Sequence, residues 1–310
     1  MPLASSTTLC WEKLVKGCYI QIICLSVINA LLAITAIVGN TVILIALHKE
    51  TSIHQPSKAL IRNVATTNLC VGFIEVLFVA YWISILQGRW QTCHVLFYAH
   101  AFGATISLFV SVWAWTAISV DRLLALLLGL RYRQIVTLRR VYLVVIVVWV
   151  CPGIGNAVIF FSNLDGWIIT SGTFGIVCVI TSAICFCTIF FKLRHQQARV
   201  HNHSQEQLNQ ATPLDISRYR KTVFSALWLQ MASAFCYLPY FFVSPVAYRE
   251  VVNNKSPTFY LVLYTTITVM CFSSTLNPFL YCWHNKSIRR TVWGILFGSE
   301  VWRNFPSLSF

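Results

Sequence analysis

An all-α fold, a bundle of seven transmembrane helices with a short amphipathic surface helix after the seventh, is what this sequence predicts, on three observations. Of its 310 residues 57% are hydrophobic and only 10% are charged. Mean hydropathy is +0.68. Apolar runs of about 20 residues or more, long enough to cross a bilayer, recur along the whole chain. Backbone groups in lipid must pair within their own segment, so each run is a helix and not a strand of an open sheet.

The runs occupy residues 19–47, 59–86, 95–128, 141–161, 167–191, 223–246 and 259–283. Seven crossings put the two termini on opposite sides. All but five of the 23 Lys and Arg fall on one side, the exceptions being Lys13, Lys16, Arg89, Arg249 and Lys255. The positive-inside bias therefore places the amino terminus outside the cell. The expected organisation is a short extracellular segment (1–18), the transmembrane domain (19–283) and a cytoplasmic amphipathic helix with a short tail (284–310). The first residues carry neither a basic stretch nor an apolar core of a cleaved signal, so the first span itself is expected to direct insertion.

A net charge of +14 would suit nucleic acid, but these cations are spread over three loops and a tail beside apolar helices. Contact with anionic lipid explains them, and no nucleic-acid partner is expected. Nine of the 12 cysteines lie within the runs and read as small apolar packing residues. Cys10, Cys18 and Cys93 lie near the oxidising face, and Cys93 is expected to bond to Cys10 or to Cys18, a choice that spacing leaves open. Residues 162–166 barely link two runs, whereas 192–221 form a polar loop with Pro213 inside it, the segment expected to move.

Asp121-Arg122 is the most telling motif. Two ionised groups stand at the inner end of the third run, where a charge toward the helix centre would cost about 2.5–3.5 kcal/mol, so they need a partner or a task. Asn277-Pro278-Phe279-Leu280-Tyr281 closes the seventh run: Pro278 removes one backbone donor and loosens the helix, and Asn277 can satisfy the freed groups. Beyond it, residues 285–298 set Lys286, Arg289 and Arg290 against Ile288, Val292, Trp293, Leu296 and Phe297 at helical spacing, the pattern of a helix lying on a membrane surface.

Gly39-Asn40, Asp121-Arg122, Trp149, Cys236-Tyr237-Leu238-Pro239 and Asn277–Tyr281 stand in the order found in the rhodopsin-like, class A G-protein-coupled receptors, and nearly the whole chain resembles that family. Leu130-Arg131-Tyr132-Arg133 with Val136-Thr137-Leu138-Arg139-Arg140 resembles the second inner loop of melanocortin and adenosine receptors. A very short, cysteine-free second outer loop points toward melanocortin receptors. The resemblance implies a receptor in the plasma membrane that passes binding of an extracellular ligand to a heterotrimeric G protein. In that scheme Arg122 leaves Asp121 on activation and the sixth helix swings about Pro239, with Asn277, Pro278 and Tyr281 part of the same machinery.

Departures from the family pattern carry their own expectations. Asn68 replaces an aspartate, so a sodium site built from Asn68, Ser111, Ser273, Ser274 and Asn277 offers oxygens but no charge and should be weak. Tyr237, Ser233 and Phe186 replace residues of the usual packing switch. Tyr219 stands where many members hold an acid that clasps Arg122, leaving Asp121 as the evident acidic partner, so measurable ligand-free signalling is expected.

Ala104 lies where amine receptors carry an aspartate, and Cys271 where opsins carry the retinal lysine. A monoamine and retinal are therefore both excluded as ligands. Phe78, Phe97, Ala101 and Ser244 likewise remove the ligand contacts of melanocortin and adenosine receptors. Glu75 remains, a carboxylate on the inward face about two turns beyond Asn68. His100 is its expected partner. The pair is either a structural hydrogen bond or, with Tyr81 and Tyr240, part of a ligand pocket. Cys93 precedes Arg122 by one helical turn more than the family spacing.

Rival functions fare worse. A membrane hydrolase would need a nucleophile or metal cluster, yet His201 and His203 lack further ligands at metal spacing, so no metal and no cofactor are expected. A seven-span transporter or channel would need polar residues along several runs and often inverted halves, and neither is found.

Overall fold

The computed structural model describes residues 10, 12–51, 53–162, 164–203, 231–247, 249–251 and 256–297. Apart from short connections these are helical, without a strand among them. In order the helices are α1 (Glu12–Lys49), α2 (Gln55–Leu86), α3 (Trp90–Leu128), α4 (Leu138–Ser162), α5 (Leu164–His203), α6 (Met231–Val251), α7 (Pro257–His284) and α8 (Lys286–Phe297). Between α3 and α4 the chain makes a 3₁₀ turn, Gly129–Arg131, and one α-helical turn, Tyr132–Ile135. Gly129 enters the 3₁₀ turn at φ +52°, which glycine adopts without steric cost.

Among the described residues six helices are long and apolar enough to cross a membrane: Gly17–Lys49, Gln55–Leu86, Trp90–Leu128, Thr173–His195, Met231–Val251 and Pro257–Trp283. Large apolar side chains such as Ile20, Phe242, Phe279 and Trp283 point away from the neighbouring helices. That distribution is what lipid, and not water, makes favourable.

Three boundaries differ from the sequence reading. The first helix begins at Glu12, seven residues before its apolar run, and bends at Cys18 (φ −138°, ψ 24°). Only residue 163 separates α4 from α5. The expected polar loop from 192 is helical as far as His203, because no Pro or Gly interrupts Lys192–His203 and its Lys, Arg, Gln and Ala residues favour helix. Pro213, Tyr219 and the start of the sixth run lie outside the described residues.

Small residues and a few polar bonds set the packing. A Cβ on Gly39 would stand 2.9 Å from Cγ of Pro278, so the α7 proline fits only because α1 is bare there. A Cβ on Gly72 would stand 2.8 Å from Cγ1 of Ile37, which brings α1 and α2 equally close. In membranes such close approach is a main source of helix association. Asn40 Nδ2 donates to the Ser274 carbonyl at 3.1 Å, Asn29 Nδ2 to Thr268 Oγ1 at 2.9 Å, and Trp149 Nε1 to Asn63 Oδ1 at 2.8 Å.

The short α8 is docked and not merely appended. Asn285 Oδ1 accepts the Ser287 and Ile288 backbone N–H groups at 3.0 and 3.1 Å, capping two donors that the helix start leaves unpaired. Ile288 and Val292 are buried against Ile43, Ala46, Leu47, Ala65 and Tyr281. The Ser287 hydroxyl donates to the Glu50 carboxylate, whose backbone carbonyl accepts from Lys58 Nζ. At the opposite end of the bundle Cys10 is bonded to Cys93, with a Cα–Cα distance of 6.1 Å, and Cys18 is buried and free.

Candidate functional site

Three groups of side chains stand between the Arg122 end of the bundle and the Cys93 end. At the first, Asp121 is buried and its two oxygens have different company. Oδ1 accepts the Tyr132 hydroxyl at 2.6 Å, and Oδ2 lies 3.4 Å from Ser57 Oγ and 3.7 Å from Arg122 Nη2. A charged acceptor favours its shortest, best aligned donor. Tyr132, not the adjacent arginine, therefore holds the better bond. Burial, and then the bond to Asp121, push the Tyr132 phenol up to about 12, so it remains a donor at any physiological pH. Arg122 Nε and the Tyr281 hydroxyl of α7 are both buried without a hydrogen-bond partner.

The middle group is polar and under-satisfied. Asn68, Ser111, Ser273, Ser274 and Asn277 are all buried, and each presents at least one side-chain nitrogen or oxygen with no partner. Buried polar atoms rarely stay unpaired, so this under-satisfied cluster on α2, α3 and α7 is the polar centre of the bundle. Tyr237 of α6 closes it, its phenol facing Ser111 and Ser273 and its ring edge-on to Trp115 at 4.4 Å and 80°. Pro239 follows within the same helix, only partly buried.

The third group begins at Glu75, 1% exposed, whose carboxylate oxygens both lack a well-formed hydrogen bond. The Cys271 thiol of α7 faces it. The expected bond to His100 is not formed. Phe78, one turn along α2, stacks on the imidazole at 4.4 Å and 14°. Around Phe78 the rings of Tyr81, Trp82 and Tyr264 pack at 6.2, 5.4 and 5.3 Å. The Tyr81 and Tyr260 hydroxyls meet at 2.6 Å, with Tyr264 Oη at 3.5 Å. Glu75, His100 and Tyr81 thus belong to one α2–α3–α7 cluster. Tyr240 sits apart on α6, its hydroxyl directed to Ser244 and its ring edge-on to Phe241.

Comparison with known proteins decides what carries these groups. Residues 39–165 match the model of the 7 transmembrane receptor (rhodopsin family), and residues 165–297 match that of the serpentine type 7TM GPCR chemoreceptor Srv. Over 280 residues the chain is 24% identical to melanocortin receptor 3 of Homo sapiens, covering 86% of this chain and 83% of that one. It is 28% identical to G-protein coupled receptor 3 of Mus musculus over 251 residues, covering 77% and 72%. With adenosine receptor A3 of Ovis aries it shares 23% over 298 residues, covering 87% and 88%. The chain is a G-protein-coupled receptor, similar over residues 39–165 to the rhodopsin family.

Two contacts in this receptor escape a reading of the motifs alone. Tyr132 was legible only as part of a loop pattern, and nothing in its spacing names Asp121 as its acceptor. Trp115 was hidden among apolar neighbours, although it supplies the ring against which Tyr237 packs. Among the described residues no group of three or more His, Cys, Asp or Glu could hold a metal ion.

Proposed function

We propose that this receptor crosses the plasma membrane seven times with its amino terminus outside, taking Leu138–Ser162 as the crossing that completes the six, and with α8 lying on the cytoplasmic face. Residues 1–18, 19–283 and 284–310 are then the extracellular segment, the transmembrane domain and the cytoplasmic part. Its task is to turn binding of an extracellular ligand into nucleotide exchange on a heterotrimeric G protein. The observation that carries this reading is the arrangement at Asp121: Arg122 is held at only 3.7 Å while Tyr132 occupies the better acceptor position. An arginine so loosely restrained is ready to turn toward a partner entering from the cytoplasm, and Tyr281 beside it has a free hydroxyl to receive it.

Activation then needs only a shift between two packings of α6 and α7 against α3, hinged at Pro239 and Pro278. The ligand pocket is assigned to the Cys93 end, with Glu75, His100 and Tyr81 on one wall and Tyr240 on the other. Ala104 and Cys271 leave no place for a monoamine held from α3 or for covalent retinal. Purified full-length receptor mixed with a heterotrimeric G protein should accelerate guanine-nucleotide uptake even without ligand. Uptake no faster than with empty micelles, across the main G-protein classes, would refute the assignment.

A further inference from the structure

Ser287 is a hydroxyl set among basic residues. Lys286 precedes it, Ile288, Arg289 and Arg290 follow it, and α8 holds neither an acid nor a proline. A segment of that kind complements the acidic substrate groove of a basophilic protein kinase and offers nothing to an acid-seeking or proline-directed one. The Ser287 side chain is only partly buried. With 12 residues, α8 is marginal as a helix once it leaves the bundle, so the segment can open into the extended form that a kinase groove holds.

Its contacts are of the kind that a phosphate reverses. The Ser287 hydroxyl donates to the Glu50 carboxylate, and Thr291 Oγ1 lies 3.5 Å from the same oxygen, Oε2. Glu50 is buried just beyond α1, and Lys58 Nζ donates to its backbone carbonyl. A phosphoserine carries a charge of about −1.5 to −2 and acceptor oxygens in place of the hydroxyl donor. The bond that joins α8 to Glu50 thus becomes an anion facing a carboxylate. The same charge offsets most of what Lys286, Arg289 and Arg290 contribute to holding α8 on anionic lipid. Ile288 and Val292 pack against Tyr281, so release of α8 also strips a wall from that α7 tyrosine.

We propose that Ser287 is a phosphorylation site for a basophilic Ser/Thr kinase and that its phosphate releases α8 from Glu50. The inference rests on the cytoplasmic placing of α8 given above. In the reaction Ser287 Oγ bonds to the γ-phosphorus of ATP, the bond from that phosphorus to the bridging oxygen breaks, ADP leaves and the hydroxyl proton passes to a base of the kinase. Docking and modification oppose each other. A hydroxyl bonded to Glu50 is not presented to a kinase, and a phosphorylated Ser287 does not return to Glu50.

The experiment incubates purified full-length receptor with ATP and the catalytic domain of protein kinase C as the basophilic probe. Labelled residues are mapped by mass spectrometry, and thermal unfolding is followed before and after labelling. Ser287 should be labelled in the native receptor and equally in Thr291→Ala. Glu50→Gln, which weakens the bond that keeps the hydroxyl docked, should raise the initial rate of labelling by about tenfold, the factor of one charge-assisted hydrogen bond. Phosphate on Ser287 should lower the unfolding temperature of the native receptor more than that of Glu50→Gln, where the repelling carboxylate is gone. No label at Ser287, or label confined to Thr291, would overturn the site. Equal labelling rates, or an equal loss of stability in both backgrounds, would overturn the release from Glu50. In cells, kinase and ATP should label Ser287 after permeabilisation and not from outside sealed cells. Label on sealed cells would instead refute the cytoplasmic placing of α8 while the site itself stood.

Discussion

A hydroxyl that binds a carboxylate competes with any arginine seeking the same oxygens, and Asp121 is where this receptor stages that competition. Tyr132 is 2.6 Å from Oδ1, whereas Arg122 is 3.7 Å from Oδ2. Removing the Tyr132 hydroxyl frees Asp121 to turn toward its neighbour. Tyr132→Phe should therefore lower ligand-free second-messenger output by about threefold to tenfold at equal surface expression, in proportion to a hydrogen bond of about 1 kcal/mol. Unchanged output would show that Tyr132 does not compete. The pH dependence follows from the raised phenol. A group shifted upward contributes its stabilisation fully below its unfolded value, about 10, and loses it only as pH rises through about 12. Native and Tyr132→Phe receptors should thus differ by a constant factor from about pH 6 to about pH 9.

Between helices, contact depends on what is absent as much as on what is present. Gly72 lets α2 approach within 2.8 Å of an Ile37 side-chain atom and 3.1 Å of its backbone nitrogen, measured from where a Cβ would stand. The backbone atom cannot step aside, so Gly72→Ala should cost about 1–3 kcal/mol by overpacking, read as a lower unfolding temperature of the purified receptor. The docking of α8 is polar at its start and apolar along its length, and the two parts can be separated. A double-mutant cycle on Glu50→Gln and Ser287→Ala should give a coupling of about 1–2 kcal/mol in unfolding experiments, since the bond is charge-assisted and partly shielded. Coupling near zero would mean that Ile288 and Val292 alone hold the helix. Both elements were visible in sequence, α8 through its alternation of basic and apolar residues and α2 through its hydropathy. Their contacts were not, because Ser287 and Glu50 are 237 residues apart and no local pattern links them.

Across the whole molecule, the one-dimensional signals were the readable ones. Apolar runs of bilayer length and a few motifs in fixed order located the helices and the receptor family, since both depend on residue type and spacing alone. What escaped depends on which side chain meets which. Glu75 and His100 stand on neighbouring helices, yet no hydrogen bond joins them and the imidazole stacks on Phe78. Cys10 and Cys18 are both candidates for Cys93 by spacing, and the structure joins Cys10 to it while Cys18 stays buried and free. The polar centre lies between these cases, because its members were named from the sequence while their unpaired atoms appear only in three dimensions. It offers amide and hydroxyl oxygens from Asn68, Ser111, Ser273, Ser274 and Asn277 but no carboxylate, and a hard cation gains little by leaving water for neutral ligands alone. The unfolding temperature of purified native receptor should therefore be the same in sodium, potassium and choline chloride at equal ionic strength. Asn68→Asp supplies the missing charge within a ready set of oxygens, so that variant should be stabilised by sodium over potassium. A sodium preference in the native receptor would mean that neutral oxygens suffice. Its absence in Asn68→Asp, with the variant folded, would mean that the polar centre is too wide or too closed to hold the ion.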